Sequence, residues 1–137
     1  MSRFLLRLLT SWLPLIVWTA IILSAANDSF SDTNTRSWLE RMLGRDVPEF
    51  VNAVFRKGGH IVAYGILGLL AWRARRSPGV ALFFAFAVAC VDEGMQARTL
   101  TRGGSAYDVV LDTCAALLAL ICVPAVRARL SSRARAE

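Results

Sequence analysis

Four apolar stretches, Leu5 to Ala26, Gly58 to Trp72, Gly79 to Val91 and Val109 to Val126, fill about half of a 137-residue chain and are divided by short polar joints. A helix crosses a bilayer with about 20 residues, or about 17 at the low end, at a rise of about 1.5 Å each. Each stretch is close to that length. A hydrophobic content of 55% with a positive mean hydropathy also exceeds what a soluble core of this size needs. The expected fold is all-α: a four-helix transmembrane bundle forming a single membrane domain over residues 1–137, with spans at about 5–26, 56–73, 79–96 and 108–127.

The charges orient it. Arg3, Arg7, Arg73, Arg75, Arg76, Arg127, Arg129, Arg133 and Arg135 fall in segments whose sole acid is Glu137, and the other nine carboxylates lie in the remaining segments. By the positive-inside tendency, both termini and the basic tail 128–137 are expected in the cytoplasm. The net charge of +6 sits in membrane-flanking joints rather than along one soluble face, so nucleic acid is not the expected partner. Cys90, Cys114 and Cys122 lie inside apolar runs, without a CxxC metal spacing or a disulfide framework. At the N-terminus, Arg3 and Arg7 followed by an apolar run and "SAAND" also fit a secretory signal. Trp12 and Trp18 favour a retained anchor.

Residues 27–55 make the longest joint, an outer loop. Within it, Trp38, Leu39, Met42 and Leu43 recur at helical spacing before Gly44, which predicts a short amphipathic extracytoplasmic helix between spans 1 and 2. Pro48 suits a first helical turn, from which one long helix can run through span 2. Gly58, Gly59, Gly65 and Gly68 permit close helix contacts in lipid. Arg75 to Gly79 reads as a tight turn, and Ser105 is placed to cap the last helix.

Length arithmetic then moves polar residues into the membrane. The purely apolar part of span 3, Val80 to Val91, covers only about 18 Å of a hydrocarbon core about 30 Å thick. To finish the crossing, the helix has to carry Asp92, Glu93 and Gln96 into the outer leaflet. Measured from the cytoplasmic ends, His60 lies about 19 to 20 Å up span 2, Glu93 about 21 Å up span 3 and Asp112 about 22 Å up span 4. Three helices thus bring ionisable groups to one level. Arg56, His60 and Tyr64 repeat every four residues, as do Asp92 and Gln96, and Asp108 and Asp112, so each set lies on one helical face.

The expected result is one polar pocket near the outer surface. Arg56, Lys57, Arg98 and Arg102 face Asp92, Glu93, Asp108 and Asp112 there in number, so a purely structural ion-pair network is one reading. A His, a Tyr and a Gln at the same level exceed what pairing requires, and ionisable groups within a membrane are functional by default. His60, Asp92, Glu93 and Asp108 are the candidates for acid–base chemistry. Arg56, Lys57, Tyr64, Gln96, Arg102, Ser105 and Asp112 are the candidate binding residues. A divalent metal on Asp92, Glu93 and Asp108 is conceivable, but no diagnostic ligand spacing assigns a metal and no cofactor is readable.

The motifs "RKGGHIVAYGILGLL" and "DEGMQARTLTRGGSAYDVVLDTCAALLAL" resemble the VanZ-like family of bacterial membrane proteins. The resemblance covers Arg56 to about Leu120. His60, Asp92, Glu93, Gln96, Arg102, Ser105 and Asp108 fall at positions similar to the family's pattern; Asp112 to Ala115 depart from its Asn followed by Gly positions. The resemblance implies a small multi-span envelope protein linked to tolerance of teicoplanin-type glycopeptides. Two functions fit: an enzyme acting on a lipid-linked or anionic envelope substrate at the outer leaflet, and a non-catalytic binder of a lipid headgroup, a glycopeptide or an envelope partner protein.

Overall fold

A computed structural model describes residues 6, 8–26, 32–98 and 103–133. They are helical, with no strand among them. A π-helical stretch, Leu8–Trp12, runs into α1 (Leu13–Ala25), followed by α2 (Asp32–Leu43), α3 (Glu49–Arg75), α4 (Pro78–Gln96) and α5 (Ala106–Arg133). Arg102, Asn27, Asp28 and the last four residues of the tail lie outside the described residues.

Local chemistry sets the boundaries. Gly44 stops α2 at a φ of 64°, a left-handed conformation that glycine takes without a Cβ clash, and its N–H donates to Glu40 O at 2.9 Å. Pro48 stands at the N-cap of α3, its carbonyl accepting from Val51 and Asn52 N–H, and the helix runs unbroken for 27 residues. It ends where Arg76 turns left-handed, φ 58°, and donates its N–H to Trp72 O at 2.7 Å. Ser77 then caps α4, its Oγ accepting from Val80 N–H, with Pro78 at the first position.

Helices α3, α4 and α5 pack against one another, with α1 laid against α3 and α4, and α2 against α3. Their shared interior is built from small residues and a few large ones: Leu67, Ala71, Ala81, Ala85, Val88, Ala89, Ala116 and Leu120. The closest approach is at Gly68, where an added Cβ would lie 3.1 Å from Ala116 Cβ. Gly65 faces Ala119 at an ordinary 3.6 Å, whereas Gly58 and Gly59 have nothing within 4 Å, so two of the four glycines expected at helix contacts make none. Trp18 ties α1 down by donating its indole N–H to Ala63 O at 2.9 Å.

Around that apolar core, the distribution of polarity departs from that of a soluble bundle. Ile16, Val17, Ile21, Phe83, Phe86, Leu118 and Ile121 are exposed, while Asn52, Asp92, Glu93, Gln96 and Asp112 are buried. Many exposed large apolar side chains together with several buried ionisable and amide groups fit lipid surroundings better than water. Two helices are long and apolar enough to cross a membrane, Pro78–Gln96 and Ala106–Ala125. The apolar helix Leu9–Ala25 is shorter, and α3 carries Arg56, Lys57 and His60 along its course. All three cysteines are free and exposed on the outer faces of α4 and α5.

Helix α2 is fastened to the chain entering α3 through one carboxylate. Glu40 Oε1 accepts from Arg36 Nε at 2.9 Å and from Val47 N–H at 3.3 Å, and these bonds, Arg36 first, hold the Glu40 carboxyl below the ordinary glutamate range. A depressed carboxyl contributes above its unfolded value and loses that contribution as pH falls through its folded value. The protection of the Val47 amide, its exchange rate relative to the intrinsic rate at the same pH, is therefore expected to be high at neutral pH. It should fall only as pH drops below about 4.5, the ordinary glutamate value. A Glu40→Gln variant should lose this pH dependence.

Candidate functional site

The N-terminal halves of α3 and α5 and the C-terminal end of α4 converge on one polar cluster. From α3, a spacing of four residues projects Asn52, Arg56, His60 and Tyr64 along one face. The His60 and Tyr64 rings stack nearly parallel, 8° apart, with centroids separated by 6.3 Å. From α4 come Asp92, Glu93 and Gln96, all buried. From α5 come Asp108 and Asp112, one turn apart, of which Asp112 is fully buried.

The helices are stitched by polar pairs. The Tyr64 hydroxyl donates to Asp92 Oδ2 at 3.0 Å, linking α3 to α4, and Gln96 Nε2 donates to Asp92 Oδ1 at 3.2 Å. His60 Nδ1 lies 3.2 Å from Asp112 Oδ2, linking α3 to α5. Lys57 pairs with Asp108 at the more exposed rim. The α4–α5 loop joins in through its backbone. Ser105 N–H donates to Glu93 Oε2 at 2.7 Å, while Ser105 O accepts from the Asp108 and Val109 N–H groups that open α5. Gly104 makes this approach possible, because a Cβ there would sit 2.5 Å from Glu93 O.

Two cavities open on the cluster. One, of about 240 Å³, lies between α1, α2, α3 and α4 and is lined both by apolar Ile22, Ala25, Phe55 and Ala63 and by polar Arg56, His60, Tyr64, Asp92 and Gln96. The other, of about 300 Å³, is lined by Ala53, Arg56, Lys57, His60, Gln96, Gly103 and Asp108. Arg56, His60 and Gln96 border both. A cation at that shared wall can hold an anionic group, and an imidazole beside a carboxylate can orient or move a proton.

Residues 11–127 match the model of the VanZ/LLP1 family. The chain belongs to that family. No curated protein and no solved structure gives a significant match. Membership and the two membrane-capable helices together mark this VanZ-family chain as an envelope membrane protein.

Of the site residues expected from sequence, the VanZ-family fold brings His60, Tyr64, Asp92, Gln96 and Asp112 into direct contact, holds Glu93 against Ser105, and places Lys57 and Asp108 at the rim. Arg56 lines both cavities. Three contributors escaped the sequence reading: Asn52, one turn before Arg56 and fully buried, and Thr35 and Phe55 on the wall of the first cavity. The spacing of four that links Arg56, His60 and Tyr64 extends back to Asn52 and carried its signal. Thr35 had none, since its place depends on how α2 folds over α3.

Proposed function

We propose that this VanZ-family protein crosses the bacterial cytoplasmic membrane four times with both termini inside, and holds the anionic headgroup of a lipid or lipid-linked envelope molecule at the outer end of the bundle. The observation that carries the reading is the first cavity's mixed lining, in which apolar Ile22, Ala25, Phe55 and Ala63 occur together with Arg56, His60 and Gln96. An amphiphile, which brings both an apolar chain and a charged headgroup, matches a lining of that kind. Arg56 and Lys57 supply the positive charge for a phosphate or carboxylate, and Arg102 is a further candidate from its place in the sequence motif. The clustering of acid-free basic segments at one end supports the orientation.

The same site has groups for acid–base chemistry on what it binds: Glu93 and His60 move a proton, and Asp92 and Asp108 orient the cations around them. A non-catalytic binder is the second reading. It needs only the charge and hydrogen-bonding capacity of Arg56, His60 and Gln96, which border both cavities. The family resemblance extends either reading to tolerance of teicoplanin-type glycopeptides, seen as a drop in the inhibitory concentration of the drug when the chain is removed from cells.

Native mass spectrometry of the purified protein should show a retained anionic lipid that Arg56→Ala loses. Lipid phosphates and lipid-linked precursors, offered to the same preparation, separate the two readings. Turnover abolished by Glu93→Gln identifies an enzyme, and retention without turnover identifies a binder. Absence of both retained lipid and turnover contradicts the proposal.

A further inference from the structure

Two carboxylate oxygens in the interior have no hydrogen-bond partner among the described residues: Asp112 Oδ1 and Glu93 Oε1, on residues 0% and 5% exposed. A buried carboxylate oxygen left without a partner is costly, and where one persists it points to something that satisfies it. Asp112 belongs to a group in which one ligand atom each from His60, Asp92 and Asp112 lies within 4.8 Å of the others. The electrostatics lean the same way. Asp92, Glu93 and Asp112 bring three carboxylates together, while Lys57 is engaged with Asp108.

We infer that His60, Asp92 and Asp112 bind a first-row divalent cation such as Zn²⁺ or Mn²⁺. Ligand bonds of about 2.1 Å place tetrahedral partners about 3.4 Å apart, so shifts of about an ångström or less would bring these three atoms onto one ion. One imidazole nitrogen with two carboxylates suits Zn²⁺ or Mn²⁺ better than Mg²⁺ or Ca²⁺, which prefer shells made entirely of oxygen. The surroundings already orient the ligands. Tyr64 and Gln96 each donate to one oxygen of Asp92, leaving a second lone pair on each for the ion. Coordination through Asp112 Oδ1 would satisfy the oxygen that has no partner, and the ion would take the imidazole that now contacts Oδ2.

The inference goes beyond the headgroup reading and stands without it. Where both hold, it divides the labour at the site: His60 becomes a ligand, the ion adds positive charge beside Arg56 for an anionic headgroup, and Glu93 remains as the group that transfers a proton.

The test is metal analysis of the full chain in lipid nanodiscs, stripped with a chelator, reloaded separately with Zn²⁺, Mn²⁺ and Mg²⁺, and desalted. The wild-type protein is expected to retain about one Zn²⁺ or Mn²⁺ per chain, with a metal-dependent rise in melting temperature. His60→Ala and Asp112→Asn should lose the ion, Asp108→Asn should keep it, and Gln96→Ala should weaken it by about 10- to 100-fold. Substoichiometric metal in the wild-type protein with every cation overturns the inference, and so does retention by both His60→Ala and Asp112→Asn. The wild-type measurement decides even where a variant fails to fold. Loss of lipid in Arg56→Ala with the metal retained would separate this result from the headgroup reading.

Discussion

A His60→Leu variant is expected to unfold far more readily than the wild-type protein, by about 3 to 5 kcal/mol, because it strands a buried acid. Asp112 is fully buried, one oxygen has no partner among the described residues, and the other faces only the His60 ring. Deleting the ring leaves that carboxylate in the bundle without compensation. The double variant His60→Leu/Asp112→Leu removes the charge along with its partner and should recover most of the loss, as buried pairs replaced together by apolar residues commonly do. Unfolding in mixed micelles, followed by circular dichroism, gives both numbers. The double variant also separates structure from function. If the pair serves the site, a stable double variant should retain no anionic lipid; if it only holds α3 to α5, retention should return with stability.

The second large effect belongs to the α3–α5 contact. At Gly68 a single added carbon would already meet Ala116 Cβ at 3.1 Å, Cα at 3.2 Å and the carbonyl oxygen at 3.3 Å. A Gly68→Leu side chain adds three more carbons against another helix's backbone. Over-packing of this kind costs about 1 to 3 kcal/mol and sometimes more. The upper end is expected here, since close backbone approach through small residues drives helix association in lipid. Because His60 and Tyr64 lie on the same helix within two turns of Gly68, prying α3 from α5 should also disrupt the His60–Asp112 contact. Gly58→Ala and Gly59→Ala are the controls. A Cβ at either meets nothing within 4 Å, so each should be neutral or raise stability by up to about 1 kcal/mol through helix propensity.

What was legible in the sequence was level along each helix, and what was not was rotation about it. Counting rises from Gly79 forced α4 past Val91, and the helix does run to Gln96 with Asp92, Glu93 and Gln96 buried. Pro48 and Gly44 marked boundaries that the backbone keeps, since both act through their own dihedral angles rather than through distant contacts. The spacing of four put Arg56, His60 and Tyr64 on one face of α3 for the same local reason. Partner choice between helices is not local. That His60 meets Asp112 and Lys57 meets Asp108, each one turn from the other, depends on the relative rotation and offset of α3 and α5, which the Gly68–Ala116 contact sets. Nor could spacing alone show that Gly65 and Gly68 face a neighbour while Gly58 and Gly59 do not. The bond from Ser105 N–H to Glu93 was hidden for another reason: it uses a backbone donor that any residue provides, brought close by the missing side chain of Gly104.

The central claim is that the stretch from Asp92 to Gln96 lies within the membrane as one wall of a polar site. Gly94 offers direct access to it, being exposed with nothing within 4 Å of an added Cβ. A nitroxide attached at Gly94→Cys, with Cys90, Cys114 and Cys122 replaced by alanine and the protein in lipid bilayers, reports depth through collisions with apolar oxygen and a water-soluble nickel chelate. The account predicts relaxation dominated by oxygen, as for a site below the headgroups. Relaxation dominated by the nickel chelate, equal to that of a label on the exposed residue Gly103, would place Asp92, Glu93 and Gln96 in bulk water and contradict it.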